Sequence, residues 1–251
     1  MFYLDKLDDR QGNRNPRASA TPDWPARFAE LAGTTRDPRL RAYYGAGLPV
    51  GDTPLAEVPM VALDVETTGL DPVRDGIVSI GLVPMTLERI VASASRHWIV
   101  RPRVALDETS VTLHGITDSQ VEEAPDLQSI LSEVLEAMAG RIVVVHCRDI
   151  ERQFLDRALK ARIGEGIAFP TIDTMALEAE LHRRGKSGFF ARLFGRRELV
   201  SIRLAASRAR YSLPRYGLHH ALTDALATGE LFQAQVAYRY RPDTRLDALW
   251  T

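Results

Sequence analysis

Apolar residues dominate two short runs, at residues 59–65 and 141–145. Runs of this length with several valines are typical of strands that are covered on both faces, as in the middle of a sheet. Three further strands are predicted at residues 77–83, 90–100 and 172–174. Because the connections among the first three strands in the chain are short, these three are expected to form an antiparallel meander.

After the meander, apolar residues recur at helical spacing. This spacing predicts helices at residues 127–138 and 149–161, and a later helix through the small residues Ala221, Ala225 and Ala227. Strands that alternate with helices are typical of parallel sheets. The sequence therefore predicts an α/β fold with a mixed sheet, an antiparallel three-strand meander plus parallel strands, flanked by helices.

The first 57 residues differ, because charged clusters alternate there with proline and glycine. Two short amphipathic helices are predicted, and Trp24, Phe28 and Tyr43 are expected to pack on the main body. An arm that binds a partner is the alternative. The predicted division is an N-terminal arm at 1–57, a main domain at 58–240 with a basic loop insertion at 184–197, and a C-terminal tail at 241–251.

Two carboxylates lie at the end of the first buried strand. Asp64 and Glu66 are two residues apart and project to the same side, whereas Val61, Leu63 and Val65 face the other way. Like charges at the end of a buried strand repel each other and lose hydration, so a positive partner is expected. Hard carboxylate oxygens on one face favour Mg²⁺ or Mn²⁺. The alternative is a strand that ends in solvated acids.

A third acid follows the second buried strand. In the predicted helix, Glu151 lies three and four residues before Phe154 and Leu155, so it borders the buried face. Asp149 shares the opposite, solvent-facing side with Arg152. Asp149 is therefore interpreted as a helix-start residue that stabilises the first turn.

A fourth acid lies in the helix of small residues. Asp224 is surrounded by alanines and should have a partner. Helical spacing pairs it with His220, four residues earlier. His219, five residues earlier, would share that direction only from a loop that precedes the helix.

Composition adds limits to this picture. The 251 residues suffice for one sizeable core, and a net charge of −1 does not by itself require a polyanionic partner. The single cysteine, Cys147, excludes an internal disulfide and fits a reducing compartment. The first residues lack the apolar core of a signal peptide, and no apolar run could span a bilayer. A cytoplasmic protein without membrane contact is expected.

Any nucleic-acid surface must therefore be local, and residues 181–216 are the candidate because arginines and three phenylalanines interleave there. Cations with aromatic rings suit a single-stranded backbone with stacked bases. A solvated helix face and a packing surface are the alternatives. The part at 184–197 is expected to be a loop, and the rest a helix with Ile202, Leu204 and Ala205 facing the core.

Together these motifs resemble the DEDDh 3′-5′ exonucleases, similar to the proofreading epsilon subunit of bacterial DNA polymerase III. The resemblance covers residues 59–237 and includes Asp-x-Glu-Thr-Thr-Gly, the tract at 113–117, and His219 five residues before Asp224. The second motif departs from the family. Where His-Asn-x-x-Phe-Asp is usual, this chain has Glu151 in place of the aspartate.

The resemblance implies an RNase H-like fold and phosphodiester hydrolysis with two divalent ions, Mg²⁺ or Mn²⁺. It assigns catalysis and metal binding to four acids, with His219 as the general base: Asp64, Glu66, Glu151 and Asp224. Substrate contacts are expected from six further residues: Thr67, Thr68, Gly69, Leu70, His114 and His146. For His114, a structural hydrogen bond is the alternative.

The resemblance implies trimming of single-stranded DNA from its 3′ end, in proofreading or repair, with release of nucleoside 5′-monophosphates. No polymerase motif is present, so proofreading would need a polymerase or another replication protein in trans. One alternative is a 3′-5′ exoribonuclease that trims RNA. Another is a replicase-associated subunit that binds nucleic acid and has lost activity through Glu151.

Overall fold

Five strands form one mixed sheet in the computed structural model, which describes residues 22–104, 115–184, 200–217 and 219–251. The strands are β1 (Met60–Thr67), β2 (Ile77–Met85), β3 (Arg96–Ile99), β4 (Ile142–Val145) and β5 (Thr171–Asp173). Their order is β3-β2-β1-β4-β5; β1 pairs antiparallel with β2 and parallel with β4, β2–β3 is antiparallel and β4–β5 is parallel. The predicted mixed sheet is confirmed.

Helices pack against this sheet. They are α1 (Trp24–Thr34), α2 (Pro38–Gly45), α3 (Asp118–Glu123), α4 (Leu127–Met138), α5 (Arg148–Ile163), α6 (Thr174–Arg184), α7 (Leu204–Arg210) and α8 (Ala221–Arg239). Short 3₁₀ helices occupy Leu55–Glu57, Ala92–Ala94 and Leu246–Ala248. Within the described ranges, no helix has the length and apolar character needed to cross a bilayer.

The central strand β1 has the burial that its apolar run predicts. Met60, Val61 and Leu63 are fully buried because β2 and β4 flank the strand and helices cover it. Near its end, the register with β2 shifts between Glu66 and Thr67. Such an irregularity bends the strand and redirects its side chains, and here it lies beside the acidic pair.

The longest helix, α8, lies close against β1 and β2. A Cβ on Gly81 of β2 would overlap the backbone of Ala221, where the helix begins. A Cβ on Gly229 would lie 3.1 Å from Met85 Sδ and 3.5 Å from Ala62 Cβ. The predicted close approach of this helix is confirmed, and it depends on small residues on both elements.

The predicted strand at residues 90–100 is wrong in its first half. β3 begins only at Arg96, and the segment before it forms the 3₁₀ helix Ala92–Ala94. The hydroxyl of Ser95 donates a hydrogen bond to the carbonyl of Ala92. Local bonds of this kind compete with a strand ladder, so the alternation in the sequence was misleading.

The described part of the N-terminal arm packs on the main body. Trp24, Phe28, Tyr43 and Tyr44 are all buried, and the Phe28 and Tyr44 rings meet edge to face with centroids 5.1 Å apart. The Tyr44 hydroxyl accepts a hydrogen bond of 3.0 Å from the backbone N–H of Ala168. The predicted packing of Trp24, Phe28 and Tyr43 is confirmed.

Residues from the predicted tail extend the sheet beyond β5. The backbones of Thr171 and Thr251 exchange two hydrogen bonds, of 3.2 and 2.9 Å, and Ile172 bridges to Trp250 in antiparallel fashion. Trp250 is buried. The outer side of β5 is thus covered by a segment that the sequence pattern had left without structure.

The solvent-facing placement of Arg152 is wrong. Its guanidinium is half-buried, donates to the carbonyl of Phe169 at 2.8 Å, and donates also to the carbonyl of Thr251. The same guanidinium lies 5.5 Å from the centre of the Trp24 ring. Helical periodicity missed this because the contacts come from distant parts of the chain.

Candidate functional site

Three carboxylates converge at the end of β1. Asp64 and Glu66 extend from that strand, and Asp224 extends from the first turn of α8. Their oxygens include a set that all lie within 4.8 Å of one another, and Glu66 and Asp224 are buried. The convergence follows from two local features, the two-residue period of the strand and the close seating of the helix on Gly81.

Burial and mutual repulsion dominate the electrostatics of Asp64 and Asp224. Burial raises the pKa of Asp64 well above its ordinary value, and the charges of Glu66, Glu151 and Asp224 raise it further. Burial also raises the pKa of Asp224, against the hydrogen bond that it accepts from the backbone of His219. Anions held this close are costly unless a cation shares them.

Glu151 approaches the cluster from α5. It is buried with Phe154 and Leu155, so the predicted inward face of this helix is confirmed. Burial raises the pKa of Glu151 well above its usual range, and Asp173 and Asp149 raise it further. Its charge acts on Asp64, but the 4.8 Å group does not include its oxygens.

Two buried carboxylate oxygens have no hydrogen-bond partner among the described residues. They are Oε2 of Glu151 and Oδ1 of Asp224. Buried polar atoms are almost always bonded, so such a pair beside other carboxylates indicates a ligand that supplies positive charge. Hard divalent ions such as Mg²⁺ or Mn²⁺ fit this all-oxygen donor set.

The turn between β4 and α5 sets the position of Glu151. Cys147 has φ 145° there, a left-handed conformation that a cysteine rarely adopts. The next N–H, of Arg148, donates to Asp173 Oδ2 at 3.2 Å. This strained turn directs the first turn of α5, and with it Glu151, toward the end of β1.

His146 lies inside the fold. Its Nδ1 is 2.8 Å from the Thr174 hydroxyl and its Nε2 is 3.1 Å from the carbonyl of Ile202. Burial lowers the pKa of His146 to about 4, so the ring is neutral near pH 7. Because both nitrogens have internal partners, the imidazole connects β4 to α6 and to the segment before α7.

His219 and His220 occupy different positions at the start of α8. His219 lies in the preceding loop with φ 68°, and its backbone N–H donates to Asp224 Oδ2 at 2.9 Å. His220 is the N-cap residue, and its Nδ1 accepts a bond of 3.4 Å from the N–H of Thr223. The loop that the sequence analysis required for His219 is therefore present.

The turn after β1 is rigid. The Thr67 hydroxyl donates to the carbonyl of Gly69 at 2.5 Å, and the Thr68 hydroxyl donates to Asp75 Oδ1 at 3.2 Å. A Cβ on Gly69 would overlap the Asp75 carboxylate, so a larger residue here would displace that carboxylate from its bond with Thr68. Leu70 is 37% exposed at the rim. Both hydroxyls shape the turn, which exposes Leu70 and, farther along, Val73 to solvent.

Two predicted features lie outside the described residues. One is His114, a candidate substrate contact, and the other is residues 185–197 of the predicted basic loop. Arg184, at the start of the predicted loop, instead ends α6.

Two arginines in the described remainder of the basic tract have structural partners. The buried Arg208 pairs with Glu230 at 2.7 Å, and Arg210 pairs with the fully buried Glu178 at 2.7 Å. The buried positions of α7 are Ser207 and Arg208. The predicted core face of this helix is wrong: Ala205 is exposed, and Ile202 and Leu204 are only partly buried, because ion pairs with distant acids decide which face turns inward.

Sequence reasoning missed two residues that matter here. Asp173 bonds to the turn before Glu151, and its place at the end of a parallel strand beside β4 was a usable signal. His97 stacks on His220 with ring centroids 4.6 Å apart. No local sequence pattern predicts that contact, because it joins residues more than a hundred positions apart.

Comparisons with known proteins agree with this geometry. The family model described as "Exonuclease" matches residues 61–232. A DNA polymerase III subunit epsilon-like protein of Rhodobacter capsulatus is 30% identical over 184 residues, which cover 73% of this chain and 24% of that protein. A PolC-type DNA polymerase III of Thermotoga maritima is 29% identical over 181 residues, or 72% of this chain and 12% of the relative. The chain thus spans a quarter or less of these relatives.

Solved structures share the fold at low identity. Exonuclease X in complex with 5′-overhanging duplex DNA aligns with a TM-score of 0.55 and 20% identity, covering 75% of this chain and 98% of that one. The nuclease domain of 3′hExo, a DEDDh family member bound to rAMP, aligns with a TM-score of 0.58 and 16% identity, covering 72% and 92%. The RNase H-like fold expected from the motifs is confirmed.

Proposed function

This chain belongs to the exonuclease family, and from that membership we propose that it hydrolyses phosphodiester bonds at the 3′ end of single-stranded DNA, releasing nucleoside 5′-monophosphates. One observation carries the proposal. Asp64, Glu66 and Asp224 form a carboxylate cluster within 4.8 Å, next to a fourth acid, Glu151, whose charge acts on it.

We assign two Mg²⁺ or Mn²⁺ ions to these four acids. The unpartnered oxygens of Glu151 and Asp224 and the raised pKa of Asp64 support a site that is complete only with added positive charge. Bound divalent ions would polarise the scissile phosphate and stabilise the departing 3′ oxygen. Asp64, Glu66 and Asp224 would supply oxygens from the 4.8 Å group, and Glu151 would add a carboxylate that lies outside this group.

His219 is the proposed general base. It takes the proton of the attacking water, whose oxygen forms the new bond to phosphorus while the bond to the 3′ oxygen breaks. Imidazole is suited to this because it titrates near neutrality. His220 is less suited, because its ring caps α8 and stacks on His97. His219 is exposed in the loop, and its backbone is tethered to Asp224.

Leu70 is proposed to pack against the terminal base. It is a partly exposed apolar residue directly after Gly69, in a turn that the hydrogen bonds of Thr67, Thr68 and Asp75 stabilise. A fixed apolar edge beside the cluster would orient the strand end before hydrolysis.

The relatives' names favour a role in replication. Relatives that carry similar sequence are called DNA polymerase III subunits or polymerases, and this chain spans only a small part of each. We therefore propose that it acts as a proofreading or repair nuclease together with a polymerase.

Oligonucleotides test the proposal directly. A 5′-labelled DNA strand incubated with the protein and Mn²⁺ or Mg²⁺ should shorten stepwise from its 3′ end, and chelator should stop the reaction. An RNA strand of the same sequence runs in parallel. Faster shortening of the RNA strand would identify RNA, in place of DNA, as the substrate. Binding without shortening would contradict the enzyme assignment.

Matched variants complete the test. Asp64→Asn should abolish shortening, whereas Asp243→Asn, at an exposed acid paired with Arg241, should leave it unchanged. For the base, His219→Ala should reduce turnover severely and His220→Ala much less. A severe loss confined to His220→Ala would overturn the assignment of His219.

A further inference from the structure

Three residues form a row across the sheet beneath the start of α8. Asp64 of β1 pairs with Gly81 of β2, and Gly81 pairs with His97 of β3. Directly opposed residues in antiparallel strands project to the same face, so Asp64 and His97 flank Gly81 on one side. The backbone of Ala221 lies directly over Gly81, where a Cβ would collide with it.

The start of the helix therefore has a side-chain neighbour on each side of Gly81. On one side, Asp224 reaches Asp64 in the carboxylate cluster. On the other side, the ring of His220 stacks on His97 with centroids 4.6 Å apart and planes tilted by 33°. His97 is itself positioned by a contact of 3.4 Å between its Nε2 and the Ser79 hydroxyl.

We propose that His97 is a positioning residue, which fixes the start of α8 through His220 and thereby sets the distance between Asp224 and Asp64. Glycine at 81 lets the helix approach but cannot stop it from sliding, because glycine has no side chain. The ring stack supplies that lateral limit. This inference rests on the proposed function, since its consequence is the geometry of the proposed metal site.

His97 experiences the charge of Glu66, but it reaches Asp224 indirectly. It acts on Asp224 through the His220 ring and the helix backbone, where the N–H of Asp224 donates to the carbonyl of His220 at 2.9 Å. Since a displacement of about 1 Å of a catalytic group can cost about 100-fold in rate, a modest shift of the helix start should be measurable.

The first experiment compares three variants of the full chain. His97→Ala removes the stack, His97→Phe keeps an aromatic face for His220, and His182→Ala removes a histidine that contacts Glu178. His97→Ala should lower kcat about tenfold with KM held within about twofold, and should weaken Mn²⁺ binding measured by calorimetry. His97→Phe should recover most of both, and His182→Ala should match the unaltered protein.

Amide hydrogen exchange provides a readout that needs no turnover. In His97→Ala, exchange should accelerate in the peptide covering residues 219–224 and stay unchanged in peptides of β4 and α5. A protein that releases no nucleotide would defeat the proposed function, yet the exchange comparison would still test the stack. Identical exchange and Mn²⁺ binding in His97→Ala and His182→Ala would overturn the inference.

A double-mutant cycle isolates the ring contact. His220→Asp keeps an N-cap acceptor for the N–H of Thr223 but removes the ring. If the stack carries the effect, His97→Ala and His220→Asp together should be no worse than either alone. Additive losses, or a His97→Phe variant as impaired as His97→Ala, would show that another contact of His97 is responsible.

Discussion

Buried acids occur in two regions of this protein, with opposite surroundings. Glu178, in α6, accepts hydrogen bonds from Arg210 at 2.7 Å, Gln235 at 3.0 Å and Tyr211 at 3.2 Å. Burial alone would raise the pKa of Glu178, but these bonds and the charge of Arg210 bring it below its ordinary value. Glu178 is a self-contained ionised group with a structural role.

The cluster at the end of β1 lacks this compensation. The electrostatic neighbours that act on Asp64 are acids, and its pKa rises well above the ordinary value because of burial and those acids. The contrast shows how to separate structural from functional carboxylates. An acid whose counter-charge comes from the same chain stabilises the fold. A cluster of acids that repel one another is a candidate site for a bound cation.

The strongest test of the contrast neutralises one acid of the cluster. Asp224→Asn should reduce turnover about 1,000-fold, the upper range for loss of one electrostatic group at a reacting centre. In metal-free buffer the same variant should melt no lower than the unaltered protein, because a like charge has been removed. Steady-state kinetics and thermal melting check both parts. A large drop in melting temperature would show that Asp224 stabilises the fold as Glu178 does.

The reciprocal change is Glu178→Ala. It should destabilise the protein by about 3 kcal/mol, since Arg210 and Gln235 lose a buried partner. Turnover per folded molecule should be unchanged at a temperature where the variant is folded. Urea unfolding measures the loss of stability. A rate assay normalised to the folded fraction measures turnover per folded molecule. Loss of turnover in the folded variant would contradict the division into two regions.

A pH titration sharpens the comparison, because His146 lies between the two regions. Its folded-state pKa of about 4 is lowered by burial from an ordinary value of 6.5. Its contribution to stability is complete above pH 6.5 and is lost as the unfolded chain binds a proton below that pH. The loss should reach about 2 kcal/mol between pH 7 and pH 5.

His146→Gln is the control for this titration. Glutamine keeps polar atoms near Thr174 and Ile202 but cannot titrate, so urea unfolding of the variant should show a shallower decline over the same pH range. Parallel declines in the two proteins would assign the pH dependence to other groups.

The smallest expected effect is that of Glu151→Asp, which introduces the residue usual in the family. The carboxylate of Glu151 already lies outside the 4.8 Å group, and the shorter side chain would move it farther from that group. Turnover should fall up to about tenfold, within the range for loss of an outer contact to a metal site. The ratio of rates with Mn²⁺ and Mg²⁺ should also change. A faster variant would show that the extra methylene impairs the site.

Local periodicity was enough to predict much of this arrangement. The two-residue alternation of β1 places Asp64 and Glu66 on one side, and the spacing to Phe154 and Leu155 turns Glu151 inward. Both are properties of a single element and need no knowledge of its neighbours. The mixed character of the sheet also followed, because short connections favour antiparallel pairs and alternating helices favour parallel ones.

Features that depend on distant partners could not be predicted in this way. Arg208 belonged to a tract considered as a nucleic-acid surface or a solvated helix face, but Glu230 pairs with it at 2.7 Å inside the fold. Arg152 was placed in solvent, but the carbonyls of Phe169 and Thr251 accept its protons. In each case a charged residue in a helix is defined by a contact that no sequence window contains.

The pairing of Thr251 with Thr171 has a practical consequence for handling this protein. β5 is only three residues long, and an open row of backbone donors and acceptors along it would be a template for joining sheets of different molecules. Removing residues 249–251 would expose these backbone groups of β5 together with the apolar surface that the Trp250 ring covers. Such a shortened form should precipitate or self-associate on concentration, although every acid of the cluster would still be present.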